Sequence, residues 1–179
     1  MHAVNGHSEC VRLLIDAGAN IHAVNKKRAT AFLLCGDAKS LKLLFDAGAG
    51  ATKEDIDEAF LHCNNAECLK LLFDAGANKD AVNKHGDSRI FLAIKNADYE
   101  CLEVLLQLGV DKECKNQYGL TPLMETLRNF VECDEDLSCF DLLMKYGANT
   151  DVTYVYGQTT LMVAATYGSY KHLQPLLDA

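Results

Sequence analysis

Cysteine and histidine side chains are the first candidates for chemistry in this chain of 179 residues, which holds eight cysteines and six histidines. Thiolates and imidazoles bind zinc, and paired thiols form disulfides. His62, Cys63 and Cys68 lie close enough in sequence to suggest a metal site. They lack the paired Cys-x-x-Cys spacing of structural zinc sites. We therefore predict no metal and no other cofactor, and keep this set as the alternative.

Catalytic motifs are absent from the sequence. It contains no His-Glu-x-x-His, no Gly-x-Ser-x-Gly and no Gly-x-x-x-x-Gly-Lys-Ser/Thr. The glycine-rich stretch 48–53 resembles a phosphate loop only faintly, because it follows a helical pattern rather than a strand. The acidic run 55–58 suits the first turn of a helix, where carboxylates complement the helix dipole. We expect no catalytic residues, and therefore no enzyme.

The charge of the chain restricts the class of partner. The formal net charge is −8, and residues 90–179 carry six Lys and Arg against thirteen Asp and Glu. An acidic surface repels phosphate backbones, which argues against nucleic acid and favours a protein partner with a basic face at the C-terminal half. The charge could equally serve solubility alone. No apolar run approaches the roughly 18 residues of a membrane span and no signal peptide opens the chain, so we expect an intracellular protein, cytoplasmic or nuclear, without membrane insertion.

The element that must position these side chains is a repeat. In five places a Leu-Leu pair is followed, three or four residues later, by a glycine: Gly18, Gly48, Gly76, Gly109 and Gly147. Each preceding segment has apolar residues on one face, such as Cys10, Leu13, Leu14 and Ala17 at i, i+3, i+4 and i+7, which predicts a helix that the glycine ends. A shorter helix precedes each of these, most clearly where Thr121 can cap a helix that begins at Pro122.

These residues resemble the ankyrin repeat. The stretch 119–124, Gly-Leu-Thr-Pro-Leu-Met, matches the family's Thr-Pro-Leu entry, and the Leu-Leu helix with its Gly-Ala end recurs near the family's period of about 33 residues. The resemblance implies an all-α repeat solenoid, an ankyrin-type stack of helix-turn-helix units with β-hairpin-like connecting loops. We assign one domain over 1–179, with a partial repeat at 1–22, repeats at 23–51, 52–80, 81–113 and 114–151, and a truncated repeat at 152–179.

The repeat also accounts for most of the cysteines. Two slots recur: one just before the first core residue of the second helix, and one after the first helix. The first holds Cys10, Cys68, Cys101 and Cys139, and the second holds Cys35 and Cys63. Equivalent positions in stacked repeats lie about 8–10 Å apart, too far for a disulfide. We expect small buried thiols in a reducing compartment.

Several units depart from the family pattern. The slot of the signature histidine holds Phe91, Met124 and Met162. In the family this histidine forms hydrogen bonds between neighbouring repeats. In this chain we therefore expect apolar contacts at these positions. The second unit is three residues short between positions 30 and 41, and the third begins as a capped helix at Thr52, which predicts a truncated hairpin. Residues 128–139 include five extra positions, which predicts an acidic loop between the two helices of the fifth unit.

In the ankyrin family, hairpin tips and the exposed face of the first helices line a concave groove that binds partner proteins. Carried over slot by slot, the tips supply the candidate partner-binding residues Lys26, Lys27, Arg28, Lys84, His85, Asn116, Gln117, Tyr118, Tyr154 and Tyr156. The tyrosines are the strongest candidates, since tyrosine gives a large contact area and is enriched at interface hot spots. Turn residues are also polar simply because turns are solvated.

The resemblance implies a protein–protein interaction module that acts as a monomer and performs no catalysis. Two alternatives stay open. The array could be the targeting or substrate-recognition region of a larger enzyme, such as a ubiquitin ligase, kinase or pathogen effector, or it could be a structural spacer. Both ends of the chain have the pattern of interior repeats, so we expect either a fragment of a longer array or boundary units that fray.

Overall fold

The computed structural model describes residues 4–26, 29–50, 52–128, 139–154, 157–167 and 170–178. These residues form ten helices and no β-strand. The helices are α1 (Val4–Asp16), α2 (Ala38–Asp46), α3 (Lys53–His62), α4 (Ala66–Asp74), α5 (Arg89–Lys95), α6 (Tyr99–Gln107), α7 (Pro122–Arg128), α8 (Cys139–Lys145), α9 (Thr160–Thr166) and α10 (Tyr170–Asp178). The chain divides into two compact units, Met1–Ala81 and Val82–Ala179.

The five glycines that mark the repeat end their helices as predicted. All five have a positive φ, between +69° and +93°. In each case the N–H of the following residue donates to a carbonyl five residues earlier, as Ala19 does to Leu14. The left-handed conformation turns the chain back so that this bond closes, and glycine adopts it without steric penalty.

In the first unit, α1 packs on α2, and α4 packs on both α2 and α3. One prediction for this unit is wrong. Cys10 was expected to be a small buried thiol, but it is exposed, and Leu13 and Leu14 on the same helix are 58% and 59% exposed. Val11 and Ile15 of α1 are partly exposed.

The second repeat contains a turn where a first helix was expected. Residues 31–34 form this turn, in which the Leu34 N–H donates to the Thr30 carbonyl at 3.2 Å. The missing three residues leave too little chain for a helix. Phe32 still fills the core, edge-on to Phe45 with ring centroids 4.8 Å apart. A Cβ atom on Gly50 would lie 2.6 Å from the Phe32 ring, so only glycine fits there.

The third repeat begins as the sequence predicts. The Thr52 hydroxyl oxygen accepts a hydrogen bond from the Asp55 N–H at 3.1 Å and caps α3. Because α3 begins three residues after Gly50, the hairpin is truncated. A carboxylate oxygen of Asp57 then accepts from the Asn78 N–H, which fixes the loop after α4 to α3.

In the second unit, the first helices α5, α7 and α9 pack in sequence order, with α6, α8 and α10 as their second helices. The Thr121 hydroxyl accepts from the Met124 N–H at 3.4 Å, which confirms the predicted cap. Phe91 and Met124 are buried as expected. Met162 is 55% exposed, so the prediction of an apolar contact between repeats is wrong at that position. The predicted acidic loop falls on residues 129–138, which lie outside the described part of the chain.

Candidate partner-binding groove

Four hairpin tips share one closing backbone hydrogen bond. In each, the N–H of the first residue donates to the carbonyl of the fifth, over 2.7 to 3.0 Å. The pairs are Asn25 with Ala29, Asn83 with Asp87, Asn116 with Leu120, and Tyr154 with Gln158. In the second unit, the fourth tip residue is a glycine whose N–H donates back to the first, which closes the turn. The same main-chain hydrogen bond therefore closes tips with different side chains.

The first slot of a tip holds asparagine in three of the four cases, and this side chain stabilises the turn. In the Asn116 tip, Oδ1 accepts from the N–H groups of Tyr118 and Leu120 at 2.9 and 3.1 Å. Its Nδ2 donates to the buried carboxylate of Glu125 at 3.0 Å. Asn116 is only 6% exposed. Although the sequence suggested it as a partner-binding residue, the structure gives it the role of positioning Tyr118.

Tyr154 occupies the asparagine slot in the last tip. A phenol ring has no short acceptor for the N–H groups of its own turn, so the described residues of this tip are joined by backbone hydrogen bonds. The partly exposed Tyr154 ring instead lines a groove with Tyr118 from the preceding tip. The structure therefore brings together two of the three tyrosines that the sequence indicated.

This groove, the tyrosine groove, has a volume of about 290 Å³. Leu120 and Val163 lie in its floor and are each 3% exposed. Tyr118 and Tyr167 lie at its rim and are about half exposed. Its lining residues are Tyr118, Leu120, Arg128, Tyr154, Gln158, Val163, Thr166 and Tyr167. The groove thus lies between α7, α9 and the two tips that precede these helices.

Arg128 is the residue that the sequence reasoning missed. It ends α7, and its guanidinium carbon lies 5.1 Å from the centroid of the Tyr118 ring, a cation–π contact. The signal was present in the repeat, because Arg128 lies seven residues after the cap Thr121, on the helix face that follows the tip. A fold-level expectation of a groove formed by tips and first helices could have included this slot.

The remaining predicted residues lie away from the tyrosine groove or outside the description. The exposed tip residues that do not line it are Lys26, Lys84, His85 and Gln117. Lys26 belongs to the first unit and the others to the second. Lys27, Arg28 and Tyr156 fall outside the described residues.

A second groove, of about 480 Å³, lies in the first unit between the 31–34 turn and α3. Leu33, Cys35, Glu58 and His62 are among its lining residues, and none of its described lining residues is a tyrosine, lysine or arginine. It therefore lacks both features that distinguish the tyrosine groove, aromatic walls and a cation.

The thiols occupy the predicted slots but only some are buried. The Sγ atoms of Cys35 and Cys63 each donate to a carbonyl two residues ahead, at 3.4 and 3.3 Å, as expected for equivalent positions. Burial raises the pKa of Cys35, and a hydrogen bond with Cys63 together with burial raises the pKa of Cys68. Both shifts favour the neutral thiol over the reactive thiolate.

No disulfide links the seven cysteines that the structure describes. Burial was expected for these side chains and is wrong for Cys10, which is exposed, and only partial for Cys35 and Cys114. The alternative metal site at His62, Cys63 and Cys68 gains no support, since no three His, Cys, Asp or Glu residues in the described ranges are arranged to hold a metal ion. Within those ranges, no helix is both long and apolar enough to span a bilayer.

Comparison with known proteins agrees with this architecture. A family model for three consecutive ankyrin repeats matches residues 56–133 and 90–179, and the single ankyrin repeat model matches residues 1–26. Among solved structures, an ankyrin repeat domain from Acinetobacter baumannii AYE superposes with a TM-score of 0.74 at 22% identity, covering 98% of this chain and 94% of that one. The ankyrin repeat domain of human ASB11 gives a TM-score of 0.73 at 27% identity, covering 97% of this chain and 78% of that one. No curated protein is matched.

The first helices, the Leu-Leu second helices with their left-handed glycines, and the hairpin tips recur along the residues that the family models match. Those models match well over half of the residues. The chain belongs to the ankyrin repeat family.

Proposed function

We propose that this chain is a protein-binding module that holds a segment of its partner in the tyrosine groove and performs no catalysis. Ankyrin repeats are in general protein–protein interaction modules. The observation that supports this particular site is the convergence of Tyr118 and Tyr154, from neighbouring tips, with Tyr167 of the following helix end. Three aromatic rings around an apolar floor form the kind of surface at which interface hot spots occur.

The rigidity of the tips favours binding. The Tyr118 backbone N–H is held by Asn116, whose own side chain is anchored to buried Glu125. A tyrosine presented on such a turn loses little conformational entropy when a partner docks, so more of the contact energy appears as affinity. The rings are exposed enough to be reached and packed closely enough to be oriented.

The chemical nature of the groove argues for binding rather than for reaction. None of its described lining residues is His, Cys, Asp, Glu or Lys, the side chains that most often act as general acids, bases or nucleophiles. The acidic excess of residues 90–179 favours basic groups on the partner outside the groove. We propose that the chain acts in this way as a monomer.

A comparative pull-down tests the site. The wild-type chain, a Tyr118→Ala/Tyr154→Ala double variant and a Tyr170→Ala control would be incubated with native lysate, and the captured proteins quantified by mass spectrometry. Tyr170 is 85% exposed on α10 and does not line the groove, so it controls for the loss of an exposed tyrosine. Circular dichroism would first establish that all three chains fold alike.

We expect at least one protein to be captured by the wild-type chain and the control but depleted about tenfold or more by the double variant, because hot-spot truncations weaken binding by at least that factor. The affinity of that protein for the three chains would then be measured in purified form. Equal capture by all three chains would contradict binding in the tyrosine groove. A wild-type chain that captures nothing specific would favour the spacer alternative.

A further inference from the structure

We propose that the tyrosine groove selects a partner segment that presents a carboxylate beside an aromatic or aliphatic side chain, and that Arg128 binds this carboxylate. The inference rests on the proposed function and names the chemistry of the partner at the same site. The groove would accept a negatively charged group, although the net negative charge of residues 90–179 favours a basic partner.

The position of the Arg128 guanidinium suits carboxylate binding. Its central carbon lies 5.1 Å from the centre of the Tyr118 ring. A guanidinium over an aromatic face keeps its N–H groups in its own plane, where they can donate two parallel hydrogen bonds to a carboxylate. Tyr118 thus orients the fork, and the exposed Arg128 side chain can be reached by a partner.

The preceding repeat shows why Arg128 is available. Lys95 holds the same slot there, seven residues after the cap Ser88, and its Nζ forms an ion pair with the buried Asp87 Oδ2 at 2.7 Å. The slot of Asp87 holds Leu120 in the next repeat, so an apolar residue replaces the acid that pairs with Lys95. None of the described residues that line the groove is Asp or Glu. Among these residues the groove therefore has a cation and no carboxylate, and a partner can supply one.

The apolar part of the groove determines the second requirement. Leu120 and Val163 form a floor, and the rings of Tyr118, Tyr154 and Tyr167 border it. A carboxylate alone would leave this apolar surface in contact with water. A neighbouring aromatic or aliphatic side chain would cover it, and burial of apolar area is the main source of affinity. The volume of about 290 Å³ is at the small end of ligand sites, so it suits a few side chains of a segment and not a folded domain.

Selection from a phage-displayed library of random 12-residue peptides tests the inference without knowledge of the partner. The wild-type chain would select the peptides. The affinity of enriched synthetic peptides would then be measured by fluorescence anisotropy for the wild-type chain and for Arg128→Gln, Arg128→Lys, Lys95→Gln and Tyr118→Ala/Tyr154→Ala variants. Lys95→Gln is the matched control, because it removes the cation from the same slot of the neighbouring repeat.

We expect enriched peptides to contain Asp or Glu next to an aromatic or aliphatic residue. Arg128→Gln should weaken their binding about tenfold, as for the loss of hydrogen bonds to a charged group at a partly exposed site. Arg128→Lys should recover part of the affinity, since lysine keeps the charge without the planar fork. Lys95→Gln should leave the affinity unchanged.

The outcomes separate this inference from the proposed function. Peptides that depend on Tyr118 and Tyr154 but contain no acid, or bind the Arg128→Gln variant equally well, would overturn the carboxylate inference and leave the groove as the binding site. Enriched peptides that bind the double tyrosine variant as well as wild type would overturn both, as would the absence of any enriched peptide.

Discussion

The tips that begin at Asn116 and Tyr154 are closed by the same two backbone hydrogen bonds but use their first residue in opposite ways. In the first, the asparagine side chain is buried and bonded to its own turn and to Glu125. In the second, the tyrosine side chain lines the groove, and the described residues Tyr154, Gly157 and Gln158 are joined by backbone hydrogen bonds. The same slot thus stabilises a tip in one repeat and lines the tyrosine groove in the next.

In this repeat fold, the hydrogen bonds that close a tip do not depend on which side chain occupies its first position. Because hydrogen bonds between main-chain atoms already close every tip, the asparagine adds stability but is not indispensable. A repeat can replace it and gain an exposed aromatic ring at the cost of some local stability. Exchanging or removing the residues in these slots should make the difference measurable.

The largest effect is expected from Asn116→Ala. The variant removes the acceptor of two N–H groups and the donor to a buried carboxylate, and should lower the free energy of unfolding by about 3 kcal/mol. Urea denaturation followed by circular dichroism measures this change. Gln117→Ala, at the exposed neighbouring position, is the control and should change stability little. A loss below about 1 kcal/mol for Asn116→Ala would mean that water replaces these bonds.

A smaller effect is expected from Asn83→Ala in the tip of the preceding repeat. Its Oδ1 accepts from the N–H groups of His85 and Asp87 at 2.8 and 3.0 Å, but Asn83 is partly exposed. Water can therefore satisfy part of what is lost, and the free energy of unfolding should fall by about 1.5 kcal/mol. The same urea titration compares it with Asn116→Ala. Equal losses for the two variants would show that burial and the Glu125 bond contribute nothing extra.

Gly157→Ala tests the backbone of the tyrosine-containing tip. Gly157 has φ +74°, and a Cβ atom there would meet no other atom within 4 Å. The variant should therefore show only the backbone strain of a left-handed alanine, about 1 kcal/mol, measured by thermal and urea unfolding. Gly36→Ala has the same open surroundings without the positive φ and serves as the control. A neutral Gly157→Ala would indicate that this tip relaxes without its glycine.

The smallest stability change is expected from Tyr154→Asn, which converts the last tip to the sequence pattern of the others. The new amide can accept from N–H groups of its own turn, as Asn83 and Asn116 do, and should raise the free energy of unfolding by about 0.5 kcal/mol. Binding of a groove-dependent peptide or partner should fall. Tyr154→Ala should show the same loss of binding without the gain in stability. If Tyr154→Asn were less stable than Tyr154→Ala, an asparagine side chain would not stabilise the last tip as it does the tip at Asn116.

Much of this fold was predictable because its signals are local. The cap at Thr52 and the cap at Thr121 join atoms three residues apart, and the left-handed glycines act within one helix end. Such interactions depend little on what packs nearby, so residue type and spacing are sufficient to predict them. The truncated hairpin of the third repeat was predictable for the same reason.

The errors arise where burial depends on a distant neighbour. Cys10 was expected to be buried, but burial requires another element to lie on that side of α1, and both Cys10 and Leu13 are exposed. Asn116 looks like any polar turn residue until Glu125, nine positions later, is found at 3.0 Å from it. Met162 holds the slot of the buried Met124 and is nevertheless exposed.

The sequence by itself determined the period, the helix ends, the caps and the family, because these follow from interactions within a few residues and from their repetition. Only the tertiary structure decided which tip side chains face outward and which stabilise the turn. It also decided that Tyr118, Tyr154 and Arg128 share one groove, which depends on how one repeat packs against the next. The physical reason is that hydrogen-bond caps and backbone conformation are properties of a short segment, whereas a binding surface is formed by atoms that lie far apart in the chain.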